Sequence, residues 1–427
     1  MERDVSVASR TDVGRVRQSN EDSFLVDSEL GLYVVCDGMG GHAAGEVASK
    51  LACEVIQREL KSVAKQRQQY LTSGRNADAK LLRKSVENAI VTACKEVYKK
   101  GSKSPELAGM GTTCTTVLMI GNSKAILGHV GDSRLFVCRQ GTLHQLSDDH
   151  TYVNELLRRG ALTKEQAANH PHGNVLSRAL GVQPSIAVDT MIFDLDPGDT
   201  YLLCSDGLHN YFSNWEELAY YMQAANLEQG LGTLVDLALE RGGHDNTTGV
   251  MFRVGGAPPP PDDAVAAEQR IAILKQIPLF QHLTYNELVE VLGLTYMLRS
   301  RPGETIITEG EKGSEFYVVL AGEVDVLKSG SHITTLQAGV HLGEMALVDN
   351  APRSATIRAK NDVTLLAMRR EEFFGLVRGQ PVIATKLLWS FVKVLSGRLR
   401  ETNEALQGAR QELDVDAEEF EIFVDEE

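Results

Sequence analysis

Three short apolar runs along the chain border an acid beside a turn residue. They are Tyr33-Val34-Val35-Cys36-Asp37-Gly38, Tyr201-Leu202-Leu203-Cys204-Ser205-Asp206-Gly207, and His244-Asp245-Asn246 leading into Thr247–Val254. Such runs, bounded by turn formers, predict buried strands with an acid at the end. Helical spacing of apolar residues predicts helices over Ala44–Lys61 and Leu81–Lys99, with the polar stretch Lys65–Lys80 between them as a surface loop. The pattern breaks at Gly255-Gly256-Ala257, Pro258 to Pro261 and Asp262-Asp263, which predicts a short, stiff, exposed linker. Beyond it, Phe316–Leu320 and Ala321–Val326 precede a turn at Ser329-Gly330-Ser331. Short strands with glycine turns predict a small antiparallel barrel or jelly roll. Finally Leu388, Val392, Leu395, Leu399, Thr402 and Leu406 recur at alternating four- and three-residue steps, the a/d pattern of a coiled coil. That stripe either packs on its own barrel or joins two copies in a homodimer. Asp414–Glu427 holds eight acidic and no basic residues and is expected to be a solvated, disordered tail. The resulting division is a domain over 1–254, a linker over 255–266, a second domain over 267–407 and a tail over 408–427.

Carboxylates gathered from strand ends far apart in sequence suit a hard divalent cation, which takes oxygen ligands in near-octahedral geometry and keeps several waters. Around them stand Arg17-Gln18-Ser19-Asn20-Glu21-Asp22, Gly38-Met39-Gly40-Gly41-His42, Gly109-Met110-Gly111-Thr112-Thr113, His129-Val130-Gly131-Asp132-Ser133-Arg134 and Leu176-Ser177-Arg178-Ala179-Leu180-Gly181. In this order, roughly residues 4–254 resemble the metal-dependent protein phosphatases, the PPM or protein phosphatase 2C-like family. The resemblance implies an α+β fold, an antiparallel β-sandwich flanked by helices. It implies that Asp37 bridges two Mn²⁺ or Mg²⁺ ions, that the carbonyl of Gly38 completes the first site, and that Asp206 and Asp245 hold the second. Glu21 and Asp22 match the acids that orient waters on the metals. Asp132, with Asp206, matches the site of a third, weaker metal in bacterial relatives; Asn210, where some relatives carry an acid, weakens that match. Two metals clamp a bridging water, lower its pKa and aim it at phosphorus. Arg17 offers a planar fork suited to phosphate. Animal relatives carry a histidine after the Asp-Gly as a general acid; here Met39 stands there, as in bacterial members, which leaves protonation of the leaving group to a water. His42 is read as a structural residue at a helix start. Thr151–Pro171 occupies the family's variable flap, a place where substrates are chosen.

Leu342-Gly343-Glu344-Met345-Ala346-Leu347-Val348-Asp349-Asn350-Ala351-Pro352-Arg353-Ser354-Ala355-Thr356 resembles the phosphate-binding cassette of cyclic nucleotide-binding domains, a jelly roll followed by a C-terminal helix. A lone arginine inside a barrel is costly unless an anion neutralises it. The resemblance makes Arg353 the phosphate clamp, gives Gly343, Glu344, Met345 and Ala346 the amide donors of a short helix start, and lets Glu344 accept from the ribose 2′-hydroxyl. The alternative is an Arg353–Glu344 pair closing an empty pocket. Ser354 follows the arginine as in catabolite-activator-like proteins that bind cyclic AMP. Thr402 and Asn403 fall where such proteins meet the adenine amino group. Cyclic AMP is therefore favoured over cyclic GMP.

At 427 residues the chain exceeds one ordinary core. No run approaches the ~20 apolar residues of a membrane span, and Met1-Glu2-Arg3-Asp4 does not open a signal peptide. A net charge of −15 argues against nucleic acid as a partner. Six cysteines without a C-x-x-C pair read as reduced, buried thiols of a cytoplasmic protein. The expectation is a protein serine/threonine phosphatase acting on phosphoproteins and tied to a cyclic nucleotide sensor. The competing reading is a catalytically weak or inactive phosphatase fold serving as a nucleotide-responsive binding module.

Overall fold

The computed structural model describes residues 4–40, 44–73, 76–121, 123–168, 170–256, 267–343 and 352–424. Two compact units emerge, Met1–Glu268 with Leu292–Leu294, and Gln269–Val291 with Thr295–Glu427.

The first unit contains strands β1 Val5–Asp12, β2 Asp22–Asp27, β3 Leu32–Met39, β4 Gly111–Thr112, β5 Cys114–Met119, β6 Lys124–Val130, β7 Arg134–Arg139, β8 Thr142–Gln145, β9 Asp189–Asp194, β10 Thr200–Cys204 and β11 Thr247–Val254. They form two antiparallel sheets, β1-β11-β10-β7-β8 and β2-β3-β5-β6-β9, with β4 added to β3. Leu32–Cys36 and Thr200–Cys204 are buried throughout, because these strands are covered on both faces. Tyr33 of one sheet stacks on Phe252 of the other at 4.4 Å, and Phe252 on Tyr201 at 4.8 Å, each pair 13° from parallel. The alternate residues Leu32, Val34 and Cys36 pack under helices Ala44–Lys61 and Asn76–Gly101. Leu202, Cys204 and Met251 pack under helices Trp215–Met222 and Leu227–Glu240. The period-two alternation thus divides each strand between the sandwich interior and a helical layer. This is the flanked antiparallel sandwich that the sequence led us to expect.

One local expectation fails. The polar stretch Lys65–Lys80 is not a loop but helix Ala64–Ser73 followed by the start of Asn76–Gly101. Tyr70 alone is buried in the shorter helix, so its sequence lacks the apolar stripe by which a helix is read. Gln69 donates to Asp78 Oδ1 at 2.9 Å and Ser73 also donates to Asp78, tying the two helices together through side chains.

In the second unit, two four-stranded antiparallel sheets form the jelly roll. One orders Tyr296–Ser300, Val363–Arg369, Glu315–Ala321 and His341–Leu342; the other orders Thr305–Ile307, Thr356–Ala359, Glu323–Lys328 and Ser331–Gln337. Tyr317, Val319, Val324, Ile357, Leu365 and Ala367 close its core. A long helix, Pro381–Val424, ends the described chain. It passes through the segment from Asp414 that was expected to be a disordered tail. Ile383, Leu387 and Phe391 are buried, whereas Leu388, Val392, Leu395 and Leu399 are exposed. The described part of the heptad stripe, Leu388 to Leu399, therefore does not pack on its own barrel.

Candidate functional site

Register brings the first acids together. β2 pairs with β3 so that Asp22 lies opposite Asp37, and β10 and β11, adjacent in the other sheet, end near Asp206 and Asp245. Glu21, Asp37, Asp132, Asp206 and Asp245 line one cavity of about 790 Å³, along with Gly38 and Met39. Asp22 is buried behind them.

Neighbouring groups fix Asp37, Asp132, Asp22 and Glu21. Thr113 Oγ1 accepts from the Asp37 amide at 2.9 Å, and the Thr113 amide donates to the Asp37 carbonyl at 2.8 Å. Gly131 holds φ +111, and a Cβ there would meet the Thr113 side chain at 2.6 Å; only glycine lets the Asp132 turn sit so close. Ser205 donates to Asp22 Oδ2 at 2.8 Å. Asn246 Oδ1 accepts from the Glu21 amide at 2.8 Å, while its Nδ2 donates to the carbonyls of Val13 and Ser19 at 2.9 Å each. Asn246 thereby ties the Arg17–Asp22 loop to the Asp245 strand. His209 donates through Nε2 to the Asp132 carbonyl at 3.0 Å; burial lowers its pKa to about 3, so it stays neutral. Thr113, Ser205 and His209 received no role from the sequence, since a lone hydroxyl or imidazole beside an Asp-Gly carries no signal until the strands pair.

Crowding shows in the proton affinities. Burial, then Asp22, Asp206, Asp132 and Asp245, push Asp37 far above the usual carboxylate range. Burial lifts Asp22 and Asp132 to about 7 each, and raises Glu21 and Asp206 as well. Among the described residues Asp22 Oδ1 and Asp206 Oδ1 are buried without a hydrogen-bond partner. An all-oxygen donor set with surplus negative charge and two orphaned oxygens fits hard divalent cations. Among the described residues no three acid, imidazole or thiol groups close into a finished cage. The open cavity leaves the remaining coordination to water, as Mg²⁺-type ions prefer. Arg17, expected to face phosphate, lies at the rim, half-exposed, with Nη2 2.8 Å from Asp245 Oδ2. His42 lies outside the described residues. In the flap, Thr151 caps helix Tyr152–Arg158, accepting from the Asn154 amide at 3.1 Å.

In the second unit, Arg353 donates through Nη2 to the Glu315 carbonyl at 2.6 Å and through Nη1 to the Gly343 carbonyl at 3.4 Å. A Cβ on Gly313 or Gly343 would strike that guanidinium at 2.0 or 2.1 Å, so the two glycines make its slot. Among the described residues no carboxylate forms an ion pair with Arg353; two backbone carbonyls hold its position. Glu344, Met345 and Ala346 lie outside the described residues. Ser354 is exposed, as is Asn403 on the long helix; the side chain of Thr402 is outside the description.

Residues 13–231 match the family model Protein phosphatase 2C, and residues 297–380 match the family model Cyclic nucleotide-binding domain. Serine/threonine phosphatase stp of Listeria welshimeri serovar 6b is 38% identical over 246 residues, 56% of this chain and 92% of that protein. The crystal structure of the Mycobacterium tuberculosis serine/threonine phosphatase PstP/Ppp superposes with a TM-score of 0.52 at 33% identity, covering 59% of this chain and 99% of that one. The catalytic domain of PstP in complex with two manganese ions superposes with a TM-score of 0.50, also at 33% identity, over 59% of this chain and 99% of that one. With its acids drawn to one cavity and its sequence matched across most of the first unit, the chain belongs to the protein phosphatase 2C family of serine/threonine phosphatases and carries a cyclic nucleotide-binding domain.

Proposed function

We propose that the chain hydrolyses phosphoserine and phosphothreonine in phosphoproteins with two Mn²⁺ or Mg²⁺ ions, under control of a cyclic nucleotide. The cluster of five carboxylates on one cavity, with a sixth buried behind, carries the reading. Asp37, the Gly38 carbonyl, Asp206 and Asp245 are the proposed ligands of the two ions, with Asp132 and Asp206 offering a weaker third site. Bound there, the ions supply charge neutralisation at the phosphoryl oxygens and an activated water. The chain's own groups hold that site in place. Thr113 fixes the Asp37 backbone, Asn246 fixes the backbone of Glu21, and Ser205 orients Asp22. Glu21 and Asp22 then orient water, and Arg17 at the rim steers the phosphate. Met39 cannot give a proton to the leaving group.

Arg353, held by two backbone carbonyls and in no ion pair among the described residues, supports a cyclic phosphate as ligand of the second unit. We favour cyclic AMP, on Ser354 and on Thr402 and Asn403 near the end of the long helix. The domain limits 1–254 and 267–407, the linker 255–266 and the tail 408–427 complete the proposal. The deciding test is phosphate release from phosphoserine and phosphothreonine peptides with Mn²⁺, with chelator, and with each cyclic nucleotide. Metal-dependent turnover that shifts with nucleotide is the expected result. Turnover that is nil with Mn²⁺ and Mg²⁺ would make this a binding module.

A further inference from the structure

Arg178 also lines the cavity, and none of the roles above uses it. Its segment is pinned at both ends. Leu176 bridges to Thr151, and Leu180 exchanges backbone hydrogen bonds of 2.8 and 3.0 Å with Thr112. Thr112 in turn donates its hydroxyl to the Asp37 carbonyl at 2.9 Å. The arginine is thus carried on a strut anchored beside the metal-site acids.

Its guanidinium is pinned as well. Nη1 donates to Asp189 Oδ1 at 2.7 Å. The other oxygen of Asp189 lies 3.0 Å from His150 Nε2, and His150 Nδ1 accepts from the Gly131 amide at 3.1 Å. That amide fixes the tautomer: Nδ1 is the acceptor, so Nε2 carries the proton and donates to Asp189. Asp189 is therefore shared between a buried histidine and the arginine. Only Nη1 is consumed. Among the described residues Nε and Nη2 of Arg178 have no protein partner, and these two donors form one edge of the planar fork. The same edge makes bidentate pairs elsewhere in this unit, Arg134 with Asp149 at 2.6 to 3.1 Å, and Arg139 with Asp199. A pinned arginine, its side chain 30% exposed, that offers this edge to a cavity is built for an anion with two oxygens.

We infer that Arg178 is a specificity-determining residue that binds an anionic group next to the phosphoresidue undergoing hydrolysis, either an acidic side chain or a second phosphate. This rests on the phosphatase reading and names a substrate class for it. The scissile phosphate belongs with the carboxylates, so a flanking anion falls to Arg178, which lines the same cavity.

The test uses the full chain with Mn²⁺ and three peptides alike except beside the phosphoserine, where they carry alanine, glutamate or a second phosphoserine. Wild type is expected to favour one or both anionic peptides over the alanine peptide in kcat/KM by about tenfold. The glutamate and phosphoserine arms tell which anion is meant. Arg178→Ala should reduce that ratio to about one, and Arg178→Lys should keep part of it. A structural role would lower all three peptides together and leave the ratio intact, which overturns the inference. So does a wild type indifferent to the flanking group, a result that stands even if the variants do not fold. If wild type releases phosphate from none of the peptides nor from p-nitrophenyl phosphate, the phosphatase reading fails and this one with it; release without a flanking preference sinks this inference alone.

Discussion

Asp37 is the acid on which the others press hardest, since burial and four neighbouring carboxylates all raise its proton affinity. Asp37→Asn removes a carboxylate that crowding drives toward its protonated form when no cation is present and that attracts a cation when one is. We expect turnover on a phosphopeptide to drop at least about a hundredfold. The metal-free variant should melt no lower than wild type, and the Mn²⁺-induced rise in melting temperature should shrink. Near-normal turnover would remove Asp37 from the centre. A second residue ties stability to acid. His129 is buried, its Nδ1 3.1 Å from Thr115 Oγ1 and its Nε2 3.1 Å from the Asp148 carbonyl. Burial, then His150, lower its pKa from 6.5 to about 3. Below pH 6.5 the unfolded chain takes a proton that the folded chain refuses. Stability from this group is therefore whole above that pH and is lost as pH falls toward about 3. At pH 5 the loss is about 2 kcal/mol. The raised acids of the cavity act in the opposite sense, so the comparison is with His129→Asn in chemical denaturation at pH 7.5 and 5. The variant should show a weaker loss on acidification; an identical loss clears His129.

At the level of elements, the strands were legible and one helix was not. Tyr33–Cys36 and Tyr201–Cys204 announce themselves by unbroken apolar runs because both faces are covered. Helix Ala64–Ser73 buries only Tyr70 and owes its place to packing and to Asp78, which lies beyond its end; no local pattern betrays that. The helix Pro381–Val424 presents the opposite case, a seam clear in sequence and left open in the structure. Leu388 is 66%, Leu395 43% and Leu399 63% exposed. β-branched Val392 at an a position with leucines at d suits a two-stranded parallel coiled coil. We expect the full chain to sediment as a dimer and Leu395→Glu, which sets two charges face to face on the seam, to sediment as a monomer with unchanged second-unit folding by circular dichroism. A monomeric wild type at tens of micromolar would leave the seam without this partner.

For the molecule as a whole, a protein phosphatase 2C domain and a cyclic nucleotide-binding domain on one chain raise the matter of coupling. A ligand shifts activity only by its differential affinity for two arrangements, typically 1–3 kcal/mol, or about 5- to 150-fold. Cyclic AMP should bind at about micromolar concentration. Arg353→Ala should weaken it by about 2 kcal/mol, roughly thirtyfold, because a charge-assisted clamp is lost. Titrating cyclic AMP and cyclic GMP into wild type and Arg353→Ala, with calorimetry and phosphopeptide turnover read together, separates binding from control. Binding without any change in rate makes the second unit a targeting or assembly module.

The sequence by itself determined the chemistry that is local. An acid beside a turn residue at the edge of an apolar run is readable without a fold, and so Asp37, Asp206 and Asp245 stood out. The glycine-rich cassette with Arg353 stood out as well, because its pattern is written in a few adjacent residues; Glu344 to Ala351 lie outside the described residues. Tertiary structure decided everything that depends on which strand faces which. The opposition of Asp22 and Asp37 follows from register, and a slip of one residue would turn either acid away. Ser205 on Asp22, Asn246 on Glu21, and the chain from Gly131 through His150 and Asp189 to Arg178 join residues up to hundreds of positions apart. No periodicity records such pairs; they exist only once two sheets have closed on one another and buried polar groups must find partners.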